Sequence, residues 1–247
     1  MKSLLVFLAT GAALLAQTAP AKSAAQPAKK AAAAPAVNPL LHPENLKSIA
    51  PAAFQVKFTT TKGDFTVTVH REWAPLGADR FYNLVRNRYF TDASFFRIVP
   101  GFIAQFGMHA DPKINAVWKN ANIRDDPAHA GVHNTKGTLV FATAGPNTRT
   151  TQLFINLNDN SRGLDSQGFV PFGEITDGMD VVMNLYSGYG DGSDMGGHGP
   201  TQGMIDSGGK AYLDKNFPRL DSIKTATIVP MGAPATKSTS PAPAAKK

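Results

Sequence analysis

One arginine and one amide stand in a setting that suggests chemistry. Arg97 precedes the pair Phe102–Ile103 by five residues and Gln105 by eight, within the string Phe95 to Gly107. A second string, Phe141 to Ile155, is apolar at both ends, Phe141–Ala142 and Leu153–Phe154–Ile155, with a Gly-Pro-Asn turn and a polar run between them. A permanent cation and an amide beside a dry aromatic hollow suit a ligand that is apolar but carries strong backbone acceptors. Proline within a peptide is such a ligand.

Rotation about an X-Pro bond is slow because amide resonance must be broken, at a barrier of about 18–20 kcal/mol. No bond to carbon is made or cleaved, so neither nucleophile nor metal nor cofactor is called for. In the twisted transition state the proline nitrogen becomes pyramidal and gains a lone pair. A donor placed there binds that state better than either planar one, which lowers the barrier. Arg97, with its rigid fork of charged N–H groups, is the candidate. Each residue also has an ordinary reading. Phe102, Phe154 and Leu164 are of types that usually fill cores, Arg97 of a type that usually forms a surface ion pair, and Gln105 and Gln152 can simply decorate a sheet face.

The elements that must position these groups are short. Phe54 to Thr60 and Phe65 to Val69 alternate apolar and polar residues around Lys62-Gly63-Asp64, which predicts a β-hairpin with one buried face. Pro75 opens a helix carrying Leu76, Phe81, Leu84 and Val85. Further strands are expected at 95–99, 104–106, 138–143, 153–157, 172–175 and 222–229, and a second helix, capped by Asp177, around Met179 to Leu185. Many short strands with two helices point to an antiparallel β-barrel plugged at its ends.

The strings FRIVPGFIAQ, AGPNT and QLFI together resemble the cyclophilin family of peptidyl-prolyl cis-trans isomerases, in a divergent, bacterial, exported branch. The resemblance runs from the Val56 hairpin to Ile228. It implies a mainly β fold, a closed antiparallel eight-stranded β-barrel capped by two α-helices. It also implies that Arg97 is catalytic, that Phe102, Ile103, Phe154 and Leu164 wall a proline pocket, and that Gln105, Ala142 and Thr143 contact the substrate backbone. Gln152 matches a glutamine that supports the arginine. Gly163 and Phe169 stand where many family members carry a tryptophan and a histidine. Sensitivity to cyclosporin is thereby in doubt, while Phe169 is expected to thicken the apolar wall.

Other motifs carry less. The glycine-rich run Gly188 to Gly203 lacks the Lys-Ser/Thr of a phosphate loop, and its Asp191 and Asp194 lack an EF-hand frame. His129 and His133 sit four apart but among Pro127 and Gly131, which favours loop over metal-binding helix. The run Met108 to Lys136 reads as an insertion. No G-x-S-x-G elbow or cysteine exists to support hydrolysis.

The ends differ from the middle. Lys2 followed by the apolar run Leu4 to Leu15 and small residues reads as a secretory signal peptide over residues 1–19, too short for a membrane span. Residues 20–44 read as an Ala/Pro/Lys-rich linker, 45–230 as the globular domain and 231–247 as a disordered tail of the linker's composition. The formal net charge of +7 comes from seven lysines in those ends, since removing them from the 25 basic residues leaves parity with the 18 acidic ones. A domain so balanced offers no basic face for nucleic acid. The expectation is a monomeric isomerase without cofactor, acting on proline-containing polypeptides in the periplasm or outside the cell, with no membrane anchor. Its rivals are a weakly catalytic proline-peptide binding module or chaperone on the same scaffold, and an envelope spacer.

Overall fold

Alternation in the first hairpin sets one face of each strand inward. A computed structural model describes residues 38–232 and gives β1 (Ala53–Thr60) strict alternation of buried and half-buried side chains. It pairs antiparallel with β2 (Asp64–His70), Val56 opposite Val67 and Phe58 opposite Phe65. Helix α1 (Pro75–Arg86) follows, then β3 (Arg97–Val99), β4 (Ile103–Phe106), α2 (Pro112–Trp118), β5 (Thr138–Phe141), β6 (Leu153–Asn156), α3 (Ser161–Leu164), β7 (Pro171–Asp177), α4 (Met179–Met183), α5 (Gln202–Asn216) and β8 (Ile223–Val229).

All eight strands form one antiparallel sheet in the order β3-β4-β6-β5-β7-β2-β1-β8. The sheet is an open half-barrel, which corrects the expected closed barrel. Its two margins, β3 and β8, do not pair with each other as strands. The chain just before it meets the start of β8 through a single bridge, Ser94 to Ser222, and through Asp92 N–H to Ile223 O, Ile223 N–H to Ala93 O and Phe95 N–H to Asp221 O at 2.8–2.9 Å.

The core is aromatic. Phe58, Phe65, Phe90, Phe95, Phe106, Phe141 and Phe172 are all buried, and α1 lays Ala78, Phe81, Leu84 and Val85 among them. Ring centroids lie 4.7 Å apart for Phe58–Phe65 and 5.2 Å for Phe81–Phe172, the offset and tilted spacings that aromatic quadrupoles favour.

The helices depart from expectation in number and in capping. Five α-helical segments are present among the described residues, not two. Asp177 ends β7 and caps nothing; the residue before α4 is Gly178, in the left-handed conformation at φ 77°. Helix α1 has no capping side chain of its own. Its first amides are met from afar by the buried Asp126, which accepts from Leu76 N–H at 2.8 Å and Gly77 N–H at 2.9 Å and pairs with Arg149 at 3.0 Å. The run read as an insertion is thus part of the frame.

Residues 38–44, assigned by composition to the linker, pack on the domain. Leu40 is buried, and its carbonyl accepts the indole N–H of Trp118 at 2.8 Å. The rest of the expected linker, the signal peptide and all but the first two residues of the tail lie outside the described residues. No described helix is long and apolar enough to cross a membrane.

Candidate active site

The hairpin β3–β4 sets Arg97 directly opposite Gln105, an offset of eight residues turned into a cross-strand pair. Gln105 in turn faces Phe154 on β6, and Phe154 faces Val140 on β5. These four side chains therefore form one row across four strands. Directly opposed residues share a face of the sheet, and this face is the one turned away from the aromatic core.

Ile103, Val140, Phe154 and Leu164 make a separate apolar cluster there, joined by Phe102, Ala142 and Phe169. All of them but Val140 border a cavity of about 190 Å³ that is also lined by Arg97, Gln105, Thr143 and Gln202, with Met195 at its rim. Phe169 meets Phe154 edge to face, centroids 5.6 Å apart.

The wall is braced from behind by amides. Asn160 donates to the Phe102 carbonyl at 2.8 Å and to Asn156 at 2.7 Å. Asn156 donates to Asn134 at 3.1 Å, and Asn134 donates to the Phe169 carbonyl at 2.8 Å and to Asp165 at 2.7 Å. Burial raises the Asp165 carboxyl, but the Asn134 donors and His133 outweigh it and hold it below the usual range. His133 Nδ1 meets Asp165 at 2.8 Å. Among the described residues no group of acidic and histidine side chains has the arrangement of a metal site.

A polar string runs along the open side of the cavity. Arg97 Nε donates to Asp191 Oδ1 at 2.6 Å and Nη2 to Oδ2 at 3.0 Å, while Nη1 donates to Gln105 Oε1 at 3.1 Å. Gln105 Nε2 donates to Gln152 at 2.9 Å, and Gln152 Nε2 to Gln202 at 2.9 Å. The Arg97 donors, and the amide of Gly192, hold the Asp191 carboxyl below its ordinary value against a smaller opposing effect of burial.

Of the residues singled out in the sequence, Arg97, Phe102, Ile103, Gln105, Ala142, Thr143, Phe154, Leu164 and Phe169 all line this one cavity. Gln152 does not; it reaches Arg97 only through Gln105. The Thr143 hydroxyl is engaged in its own turn with Gly145 O and Thr148. Sequence reasoning missed Asp191, Met195 and Gln202, all from the glycine-rich run and its end. It also missed the brace of Asn134, Asn156 and Asn160, whose only sequence trace is the asparagine-rich string Asn156 to Asn160. A second cavity of about 430 Å³ shares Gln105, Ala142, Thr143 and Gln202 and adds Trp118, Lys119 and Asp206, whose carboxyl is pushed up by burial.

Residues 55–203, more than half of the chain, match the family model described as Cyclophilin type peptidyl-prolyl cis-trans isomerase/CLD. The chain belongs to the cyclophilin family. Among similar proteins are a peptidyl-prolyl cis-trans isomerase of Acinetobacter baylyi, 33% identical over 53% of this chain and 70% of that one, and peptidyl-prolyl cis-trans isomerase B of Escherichia coli, 33% identical over 53% of this chain and 82% of that one. Crystal structures of a Cryptosporidium parvum cyclophilin type peptidyl-prolyl cis-trans isomerase have the same fold, with a TM-score of 0.52 at 22% identity. One covers 72% of this chain and 98% of its own; another was obtained in the presence of the dipeptide Ala-Pro. The two positions expected to depart from the family, Gly163 and Phe169, have different surroundings. Phe169 fills out the cavity wall, whereas a Cβ at Gly163 would meet nothing within 4 Å.

Proposed function

We propose that this cyclophilin accelerates rotation about X-Pro bonds in exported polypeptides, as a monomer, with Arg97 stabilising the twisted transition state. The observation that carries the reading is the meeting of one guanidinium with an apolar cavity of about 190 Å³. That volume is below the ~300–1,000 Å³ of ordinary small-molecule sites and suits a single ring. Phe102, Ile103, Phe154, Leu164 and Phe169 hold the proline ring and withdraw its amide from water, whose hydrogen bonds to the carbonyl favour the planar form. Two N–H groups of Arg97, one on each terminal nitrogen, are left over from its bonds to Asp191 and Gln105. Either can meet the nitrogen lone pair that exists only during rotation. The larger cavity shares its near wall with this one, so a peptide held by its proline passes Gln105, Ala142 and Thr143 on the way. Export rests on residues 1–19, and proteolytic maturation near residue 19 with recovery outside the cytoplasm is the expected fate.

The test is exchange between cis and trans signals of an Ala-Pro peptide by NMR, with the full chain. Arg97→Ala is expected to slow exchange by about 100-fold, the scale of losing one transition-state donor. Exchange at the wild-type rate would refute the assignment. A second reading, a binding module without turnover, is favoured by the Arg97 charge being already met by Asp191. Tight peptide binding with no acceleration of exchange would select it.

A further inference from the structure

The glycine-rich run between α4 and α5 is unexplained by the fold, since it adds no strand and little core. Yet both ends of the polar string at the cavity come from it or from the residue just beyond it: Asp191 at one end and Gln202 at the other. Met195, between them in sequence, stands at the cavity rim.

The run is built around Asp191. The Asp191 carbonyl accepts Gly199 N–H at 2.8 Å, its Oδ1 accepts Gly192 N–H at 2.8 Å, and Ser193 N–H returns to Gly199 O at 3.0 Å. A Cβ at position 197 would lie 2.1 Å from the Asp191 carbonyl oxygen, so only glycine lets the chain fold back this closely. Two backbone amides of the loop thus end on Asp191, Gly199 N–H at its carbonyl and Gly192 N–H at its carboxylate, and that carboxylate grips one side chain. It takes Nε and Nη2 of Arg97, the paired edge of the fork, while Gln105 takes Nη1. A guanidinium gripped on two sides has one orientation left, and its unused N–H groups are fixed relative to the cavity. Arginine otherwise has many rotamers to lose when it meets a transition state.

We infer that Asp191 is the positioning residue for Arg97, and that the loop 188–201 is a strap which presets the arginine for rotation of the bound X-Pro bond. The inference rests on the reading of Arg97 as the catalytic group. The carboxylate weakens the field that the cation presents to the lone pair of the transition state, and the fixed orientation has to outweigh that loss. What it adds is geometry, and misplacement of a catalytic group is costly in rate.

Full-length Asp191→Asn, Asp191→Glu, Arg97→Ala and the double variant Arg97→Ala with Asp191→Asn, assayed by NMR exchange on an Ala-Pro peptide, test this. Asp191→Asn keeps the size of the side chain and is expected to lower kcat about tenfold with KM within about twofold, as loss of orientation without loss of binding does. Asp191→Glu is expected to recover part of that loss, and Asp191→Asn to add nothing on the Arg97→Ala background. Wild-type or faster exchange in Asp191→Asn would overturn the inference, as would a further tenfold loss in the double variant, which would signal general damage. Should Asp191→Asn not fold, the Arg97 Nε–H resonance of the wild-type protein decides. A slowly exchanging signal supports the strap, and one exchanging as fast as an exposed arginine overturns it. If instead Arg97→Ala retains full activity, it is the function of Arg97 that fails, and not the grip of Asp191 on it.

Discussion

Strands β4, β6 and β5 have two faces that are almost equally dry and do opposite work. Toward the core, Phe106, Leu153, Ile155, Leu139 and Phe141 meet other apolar groups; Phe106 alone contacts Phe58, Phe90 and Phe95 at centroid distances of 5.9, 5.7 and 5.1 Å. Away from it, Ile103 and Phe154 are nearly as buried, at 4% and 3% exposure, but they border a cavity. Burial therefore does not separate a core residue from a pocket wall. The difference is whether partner atoms exist on the far side, because dispersion is lost wherever a side chain faces a void.

Truncation on each face should sharpen that contrast. Phe106→Ala is expected to cost about 3–5 kcal/mol in urea unfolding, the range for removing a packed phenylalanine. Phe154→Ala is expected to cost about 1–2 kcal/mol, since part of its surface is already unpartnered, while kcat/KM for a proline peptide falls about tenfold. Equal stability losses for the two would break the comparison. The smallest effect concerns acid. The Asp191 carboxyl is lowered in the folded protein by its Arg97 donors, so its contribution to stability is fully present above the unfolded value of about 3.9 and is lost as pH falls through the lower folded value. Stability and isomerisation attributable to this pair should stay level from neutrality to about pH 4 and decline below it. The difference between wild type and Asp191→Asn in acid melts isolates the pair from other carboxylates.

What could be read beforehand follows the same division. The hairpin β1–β2, α1 from Pro75 and the short strands were legible because each has a period or a turn of its own. The row Arg97, Gln105, Phe154 was legible in its members through family strings, and the eight-residue offset needed only one tight hairpin to become a contact. Helix α2 had its signal, Asp111 capping the Lys113 amide before a proline at the first turn, but only seven residues. Helix α5 had none that was clear: it contains Gly203, Gly208 and Gly209, and the backbone leaves the helix at Gly209. Asp191 lies 94 residues from Arg97 in a stretch without periodicity, so no local pattern could join them. The closed barrel was an expectation of resemblance, and the single bridge between Ser94 and Ser222 is a local fact that resemblance did not carry.

That narrow seam between the sheet margins has a consequence for synthesis on the ribosome. Ser94 and Ser222 are 128 residues apart, and β8, which flanks both the seam and β1, comes last in chain order among the described strands. Loop closure over such a span is slow and is rewarded only once both ends exist. Until β8 has been made, β1 is therefore unaccompanied on one side, and completion of the sheet waits for that strand.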